Sequence, residues 1–308
     1  MKIVFMGTPE FSKPILEALI ENYDVELIVT QPDRYLGNKV IEPVIKKVGI
    51  EHNIKVFQPQ KIRKEYEKIT KLNPDMIITC AYGQIIPKEL LESPKYGAIN
   101  IHASLLPKLR GGAPIHHAII DGYDKTGITI MYMNDKMDEG DIILQKETQI
   151  TDEDTTETLH DRLSLIGRDL ILEAIPKIVK GVKRIKQNEE ETTYGYNISR
   201  EDEKINFEKT KRQIFNQIRG LNSYPGAYTT YNNKILKVWK SKIGLNQAEG
   251  QNGKIINLYE DGIGVKCADG EIILTEVQLE GKKRQTAKEF INGHKNELIG
   301  SILKWKKK

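Results

Sequence analysis

Lys2-Ile3-Val4-Phe5-Met6-Gly7-Thr8-Pro9-Glu10-Phe11 decides how the rest of the chain reads. Lys2 to Met6 is a short β-rich run, and Gly7-Thr8-Pro9 ends it in a tight turn. Thr8 stands as a helix N-cap with Pro9 in the first helical position, after which Phe11, Ile15, Leu16, Leu19 and Ile20 recur at helical spacing. Strand, turn and helix in this order open a Rossmann-like unit.

The alternation continues downstream. Strands are expected at 25–30, 55–57, 76–81, 97–102 and 127–133, with helices at 44–50, 62–72 and 155–179. This pattern predicts an α/β fold whose N-terminal domain is Rossmann-like, mostly parallel and doubly wound. A dinucleotide site at the first turn fails, because Gly7-Thr8-Pro9-Glu10-Phe11 lacks the second and third glycines that let a pyrophosphate approach the backbone. Ligands of such sheets still gather outside the carboxyl ends of the strands.

Asn100-Ile101-His102-Ala103-Ser104-Leu105-Leu106-Pro107 lies at such an end. Period-two geometry points Asn100 and His102 to one face, and Pro107, without an N–H, turns the chain out of the sheet. A carboxamide and an imidazole side by side can hold an oxygen that becomes negative as a carbonyl turns tetrahedral. The acidic turn from Asn134 to Asp141, just past the apolar run at 127–133, offers a carboxylate to orient and charge the imidazole. Ser104 lacks the glycine elbow of a hydrolase nucleophile and reads as a binding or turn residue. His116 and His117 cannot both face one metal ion with His102, since adjacent helical residues point about 100° apart. No metal is expected.

The remainder differs in character. Residues 183–202 are charged and weakly apolar and read as a linker. A helix near 209–221 and five short strands at 227–231, 235–241, 253–259, 262–266 and 272–278 then predict a small OB-like β-barrel. The domains expected are therefore 1–182, the linker 183–202, and 203–308. Residues 203–308 carry a formal charge of +9, whereas residues 1–202 carry −5. No acid occurs between Glu208 and Glu249, while Lys209, Lys211, Arg212, Arg219, Lys234, Lys237, Lys240 and Lys242 accumulate there, a field suited to a polyanion such as RNA. Trp305 in the basic tail is a further candidate to stack on RNA, with a disordered end as the equal alternative.

At 308 residues and 39% hydrophobic content the chain can build two ordinary cores. The N-terminus lacks the order of a secretory signal and no apolar run approaches spanning length, so a cytoplasmic protein without a membrane partner is expected. Cys80 and Cys267 lie far apart in apparent strands and read as core residues. A monomer is the default, as no heptads occur.

These residues resemble the folate-dependent formyltransferases. The likeness rests on Asn100 to Pro107 with Arg110-Gly-Gly-Ala-Pro-Ile115 and on Met137-Asp138-Glu-Gly-Asp141. It extends through Gly7 to Phe11, Gln31 to Arg34, Ala81-Tyr-Gly83, Tyr224-Pro225, Lys237-Val-Trp239 and Thr286 to Phe290, nearly the whole chain, and points to the branch that acts on aminoacylated tRNA. The resemblance implies that Asn100, His102 and Asp138 are catalytic. It further implies that Ser104, Leu105, Leu106 and Pro107, with Tyr82 and Gly83, face 10-formyltetrahydrofolate as co-substrate, and that the acceptor is methionyl initiator tRNA. Arg34, Lys39, Lys209, Lys211, Arg212 and Lys237 are the tRNA-binding candidates. After Arg34 the family commonly carries a longer basic insertion; Tyr35 to Glu42 is shorter and offers fewer cations. Two alternatives are a formyltransferase for a small amine, such as an amino sugar nucleotide or glycinamide ribonucleotide, and a non-catalytic RNA-binding relative. Neither small-amine activity needs a barrel charged +9, and intact Asn100, His102 and Asp138 speak against a dead enzyme.

Overall fold

The structure, a computed structural model, describes residues 1–304; Trp305 therefore lies outside the described residues. The chain divides into two compact units, one of 1–114, 125–149 and 160–194, the other of 115–124, 150–159 and 195–308.

The first unit is built on a sheet of β1 (Lys2–Gly7), β2 (Asp24–Val29), β5 (Lys55–Phe57), β6 (Met76–Cys80), β7 (Ala98–His102), β8 (Lys125–Tyr132) and β9 (Ile142–Gln149). Their order is β5-β2-β1-β6-β7-β8-β9, parallel from β5 to β7 and antiparallel beyond. The order reverses between β1 and β6, which makes the carboxyl ends around Gly7 and Cys80 a topological switch point. Strand β9 was not expected. Its Gln145-Lys146-Glu147-Thr148-Gln149 is largely exposed at the sheet edge, where charge protects against further pairing and hides the strand from a hydrophobicity reading.

Val4 and Met6 of β1 pack with Ile62, Ile69, Leu90 and Leu91 from α3 (Ile62–Glu65), α4 (Glu67–Thr70) and α5 (Lys88–Leu91). The helix expected at 62–72 is thus two short turns that break at Tyr66. The first helix also starts later than expected. A short 3-10 turn at Glu10–Ser12 precedes α1 (Lys13–Asn22), whose early proline is Pro14, and Thr8 instead donates through Oγ1 to the Tyr82 carbonyl at 3.1 Å. Thr8 consequently ties the β1 turn to the β6 turn rather than capping a helix. Between β2 and α2 (Val44–Glu51) an unexpected hairpin appears, β3 (Arg34–Leu36) and β4 (Lys39–Ile41), turning at Gly37 with φ +58°.

The second unit contains an antiparallel sheet of β10 (Ala227–Tyr231), β11 (Lys234–Ile243), β14 (Gly270–Leu279), β13 (Ile263–Cys267) and β12 (Ile255–Leu258) in that order, with β15 (Gln285–Thr286) on β14. Bridges from Thr230 to Lys304 and from Lys254 to Ile302 set the last described residues between β10 and β12, closing the barrel. Its core joins Val238, Val265, Leu274 and Val277 to Ile214 and Ile218 of α8 (Lys211–Gly220) and Phe290 of α9 (Ala287–Leu298). Both helices begin with reciprocal capping boxes, Thr210 with Gln213 and Thr286 with Glu289. The remaining helices are α6 (Pro114–Ile120) and α7 (Thr156–Val179). No helix of the described residues is long and apolar enough to cross a membrane.

Candidate active site

Strand β7 ends with Asn100 and His102 converging on one carboxylate. Thr79 Oγ1 on neighbouring β6 donates to Asn100 Oδ1 at 2.8 Å, which fixes the carboxamide with Nδ2 turned toward Asp138 Oδ1, 3.5 Å away. His102 is 6% exposed, and its Nε2 lies 2.9 Å from the Leu109 carbonyl oxygen, a group that only accepts. Nε2 therefore carries the hydrogen and Nδ1 is the atom facing Asp138 Oδ2 at 3.6 Å. The contact of Asn100 Nδ2 with Asp138 is too long to saturate the amide, which remains available to an incoming oxygen, whereas His102 Nδ1 can donate to one only when the imidazole carries a proton on both nitrogens.

Asp138 is fixed from several sides. Gly111 N–H donates to Oδ2 at 2.9 Å, and Gln187 Nε2 donates to the Asp138 carbonyl at 2.7 Å and to that of Gly140 at 2.8 Å. Gly140 must be glycine because a Cβ there would stand 1.7 Å from the Tyr132 carbonyl oxygen. The Gln187 side-chain oxygen accepts from Arg110 Nε and Nη2 at 3.1 and 2.9 Å, and Arg110, 0% exposed, also pairs with Glu189. Segment 183–202, expected as a linker, thus supplies side chains that brace the site, a role that no residue spacing signals.

The residues expected to face folate differ in exposure. Ser104 and Leu106 are buried supports. Ser104 Oγ donates to the Lys108 carbonyl at 2.5 Å, while Leu106 packs on Met131 and Ile142 and donates its N–H to Thr129 Oγ1 at 3.1 Å. Leu105 and Pro107 are partly exposed. The Tyr82 ring is buried among Ile86 and Leu90, which pushes its hydroxyl pKa up, and its carbonyl already accepts from Thr8 and Gln31, so exposed Gly83 is what this turn offers a ligand. Two apolar residues missed in the sequence lie on these loops: Ile85 is 73% exposed and Met137, next to Asp138, 55%. An apolar residue without a core partner is visible only once burial is known.

The basic residues also sort themselves. Arg34 and Lys39 stand exposed on the β3–β4 hairpin, and neither forms an ion pair among the described residues. Lys209 is exposed. Lys211 meets Asp269 and Arg212 meets Asp152, while Lys237 donates to the Pro225 carbonyl at 2.7 Å. Lys240 and Lys242 are likewise paired with Glu276 and Asp261. The acid-free stretch is therefore compensated by acids distant in sequence, which corrects the uniform one-sign field expected from it. His116 and His117 turn to different partners, the Tyr224 carbonyl and Asp121 with the Tyr196 carbonyl. No group of three or more possible metal ligands occurs among the described residues. Cys80 and Cys267 are free and buried, their thiol pKa values pushed by desolvation to about 12 and about 11.

With this geometry in place, comparison identifies the lineage. Residues 1–175 match the family model of formyl transferase and residues 197–295 that of its C-terminal domain. A methionyl-tRNA formyltransferase of Bacillus cytotoxicus is 52% identical over 97% of this chain and 97% of its own, and one from Bacillus thuringiensis subsp. konkukian is 50% identical over the same shares. Among solved structures, the N-formyltransferase of Helicobacter canadensis with folinic acid and dTDP-3-aminofucose shares the fold at 23% identity and a TM-score of 0.69, over 89% of this chain and 98% of that one. HypX from Aquifex aeolicus with tetrahydrofolic acid does so at 16% identity and 0.64, over 97% of this chain and 48% of its own. The chain belongs to the formyl transferase family, among its methionyl-tRNA formyltransferases.

Proposed function

We propose that the enzyme transfers the formyl group of 10-formyltetrahydrofolate to the α-amino group of methionyl initiator tRNA at Asn100, His102 and Asp138. The observation that carries the site assignment is the convergence of Asn100 Nδ2 and His102 Nδ1 on the Asp138 carboxylate at the carboxyl end of β7. A free α-amine has a pKa of about 8, so its lone pair is exposed without a strong base. As the amine nitrogen bonds to the formyl carbon, the Asn100 amide and, in its doubly protonated form, the Nδ1–H of His102 hold the oxygen that gains charge. Asp138 keeps His102 oriented and relays through water the proton the amine loses. That proton ends on the folate nitrogen as its bond to the formyl carbon breaks, and the electrons of that bond stay with the nitrogen.

Leu105, Pro107 and Gly83 border the folate side, with Ser104, Leu106 and Tyr82 behind them as supports. Arg34, Lys39 and Lys209 are the first tRNA contacts, ahead of Lys211, Arg212 and Lys237, whose charges already have protein partners. Residues 1–182, with the bracing segment 187–193, serve as the catalytic domain and 203–308 as the tRNA-binding domain, in a cytoplasmic monomer. Incubation with 10-formyltetrahydrofolate and either charged initiator tRNA or small amines tests this reading. Formylmethionyl-tRNA should form, and His102→Ala should lower kcat by about 10²-fold or more. Turnover of an amino sugar nucleotide but not of the tRNA would replace it with the small-amine reading.

A further inference from the structure

Gln187 closes a ring of hydrogen bonds around the candidate acid. Its amide uses both donors on the Asp138 and Gly140 carbonyls and its oxygen on two donors of Arg110, while Gly111 N–H, one residue on, returns to the Asp138 carboxylate. A carboxamide is the side chain that offers two donors and an oxygen with two acceptor positions in one plane. Glu189 holds the far side of the Arg110 guanidinium through both carboxylate oxygens, at 2.8 and 3.1 Å.

The same segment acts on both neighbours of the imidazole. Leu109, whose carbonyl accepts from His102, has φ +58°, and Asp138 has φ +54°. A side chain in the left-handed region persists where surrounding contacts over-determine it. Leu109 N–H donates to Thr193 Oγ1 at 2.9 Å and Arg110 N–H to the Thr193 carbonyl at 2.9 Å, while the Asp138 carbonyl is held by Gln187. Residues 187–193 therefore grip the two strained positions between which His102 sits.

We infer that Gln187 is a positioning residue for formyl transfer: anchored by buried Arg110, it holds Asp138 at the distance and angle from which its carboxylate orients His102. It touches no reacting atom. The inference rests on the proposed role of Asp138, and the experiment separates the two. Gln187→Met keeps the length of the side chain and removes all four bonds; Gln187→Glu keeps the pairing with Arg110 and loses both donors. For each, kcat and KM for initiator methionyl-tRNA and 10-formyltetrahydrofolate are measured alone and in an Asp138→Asn background, with circular dichroism melts reporting folding. The expected result is a fall in kcat of at least 10-fold in both single variants, KM values within about two-fold, and no additional loss in Asp138→Asn/Gln187→Met relative to Asp138→Asn. A kcat within two-fold of the parent, or losses that multiply in the double variant, overturns the inference while leaving Asp138 in place. If Asp138→Asn itself retains full kcat, the reading of the site fails instead. Should Gln187→Met not fold, Gln187→Glu carries the same comparison.

Discussion

Asn100 presents its amide hydrogens to the site because a hydroxyl one strand away accepts nothing from it and donates to its oxygen. Thr79 Oγ1 does so at 2.8 Å from a position that is itself 2% exposed. Thr79→Val, nearly isosteric, leaves the carboxamide free to turn its oxygen toward Asp138. We expect kcat for formylation to fall about 10-fold with KM for folate unchanged, since removing an oxyanion donor outright costs about 10²-fold or more and Thr79→Val only unfixes one. Steady-state kinetics with saturating charged tRNA check it; an unchanged kcat would show that the amide needs no such guide. The placement of Asn100 and His102 on one face of a strand end was legible from their period-two spacing. Thr79, Arg110 and Gln187 were not, because a hydrogen bond between residues up to 77 positions apart leaves no local signature.

At the scale of elements, local signals that were present often named the right structure. The helix with its polar start at Asp154 to Glu157 is observed as α7, and the five strand-like runs after 226 are five observed strands. The Gly37-Asn38 turn between β3 and β4 and the Thr286-to-Glu289 capping box of α9 carried the same kind of signal, although neither element was expected. The turn after α6 carries a titrating contact. His117 has its pKa raised by the hydrogen bond to Asp121, opposed by desolvation and helped by the Tyr196 carbonyl and the charge of Asp202. A folded-state pKa above the unfolded value gives stability that is complete below the usual imidazole range of about 6.5 and is lost as pH rises through the folded value. Asp121→Asn should therefore lower the melting temperature by about 1–2 °C near pH 5.5, where the pair is charged, and by less near pH 8.5. Equal losses at both pH values in circular dichroism melts would assign the effect to packing.

For the molecule as a whole, charge has to be counted after folding. The excess on residues 203–308 survives as a net value, yet Lys211, Arg212, Lys240 and Lys242 spend it locally on Asp269, Asp152, Glu276 and Asp261. The β3–β4 hairpin is different: Tyr35 and Leu36 are 74% and 71% exposed beside cations with no ion pair among the described residues. Reversing a charge there should act on the nucleic acid alone. Lys39→Glu is expected to raise KM for initiator methionyl-tRNA several-fold, more at low salt than at high salt, with folate binding intact. Unchanged tRNA kinetics at low salt would remove the hairpin from the list of contacts.

The sequence by itself determined the alternation of elements, the mostly parallel sheet, the absence of a dinucleotide loop and the strand end that bears Asn100 and His102. Each of these follows from hydrophobic periodicity and from glycine or proline at a turn, which act over a few residues. Only the tertiary structure decided that Asp138 faces both residues, that Ser104, Leu106 and Tyr82 are buried supports, and that residues 187–193 brace the site. Those outcomes depend on burial and on hydrogen bonds closed between distant segments, which exist only after the chain has packed.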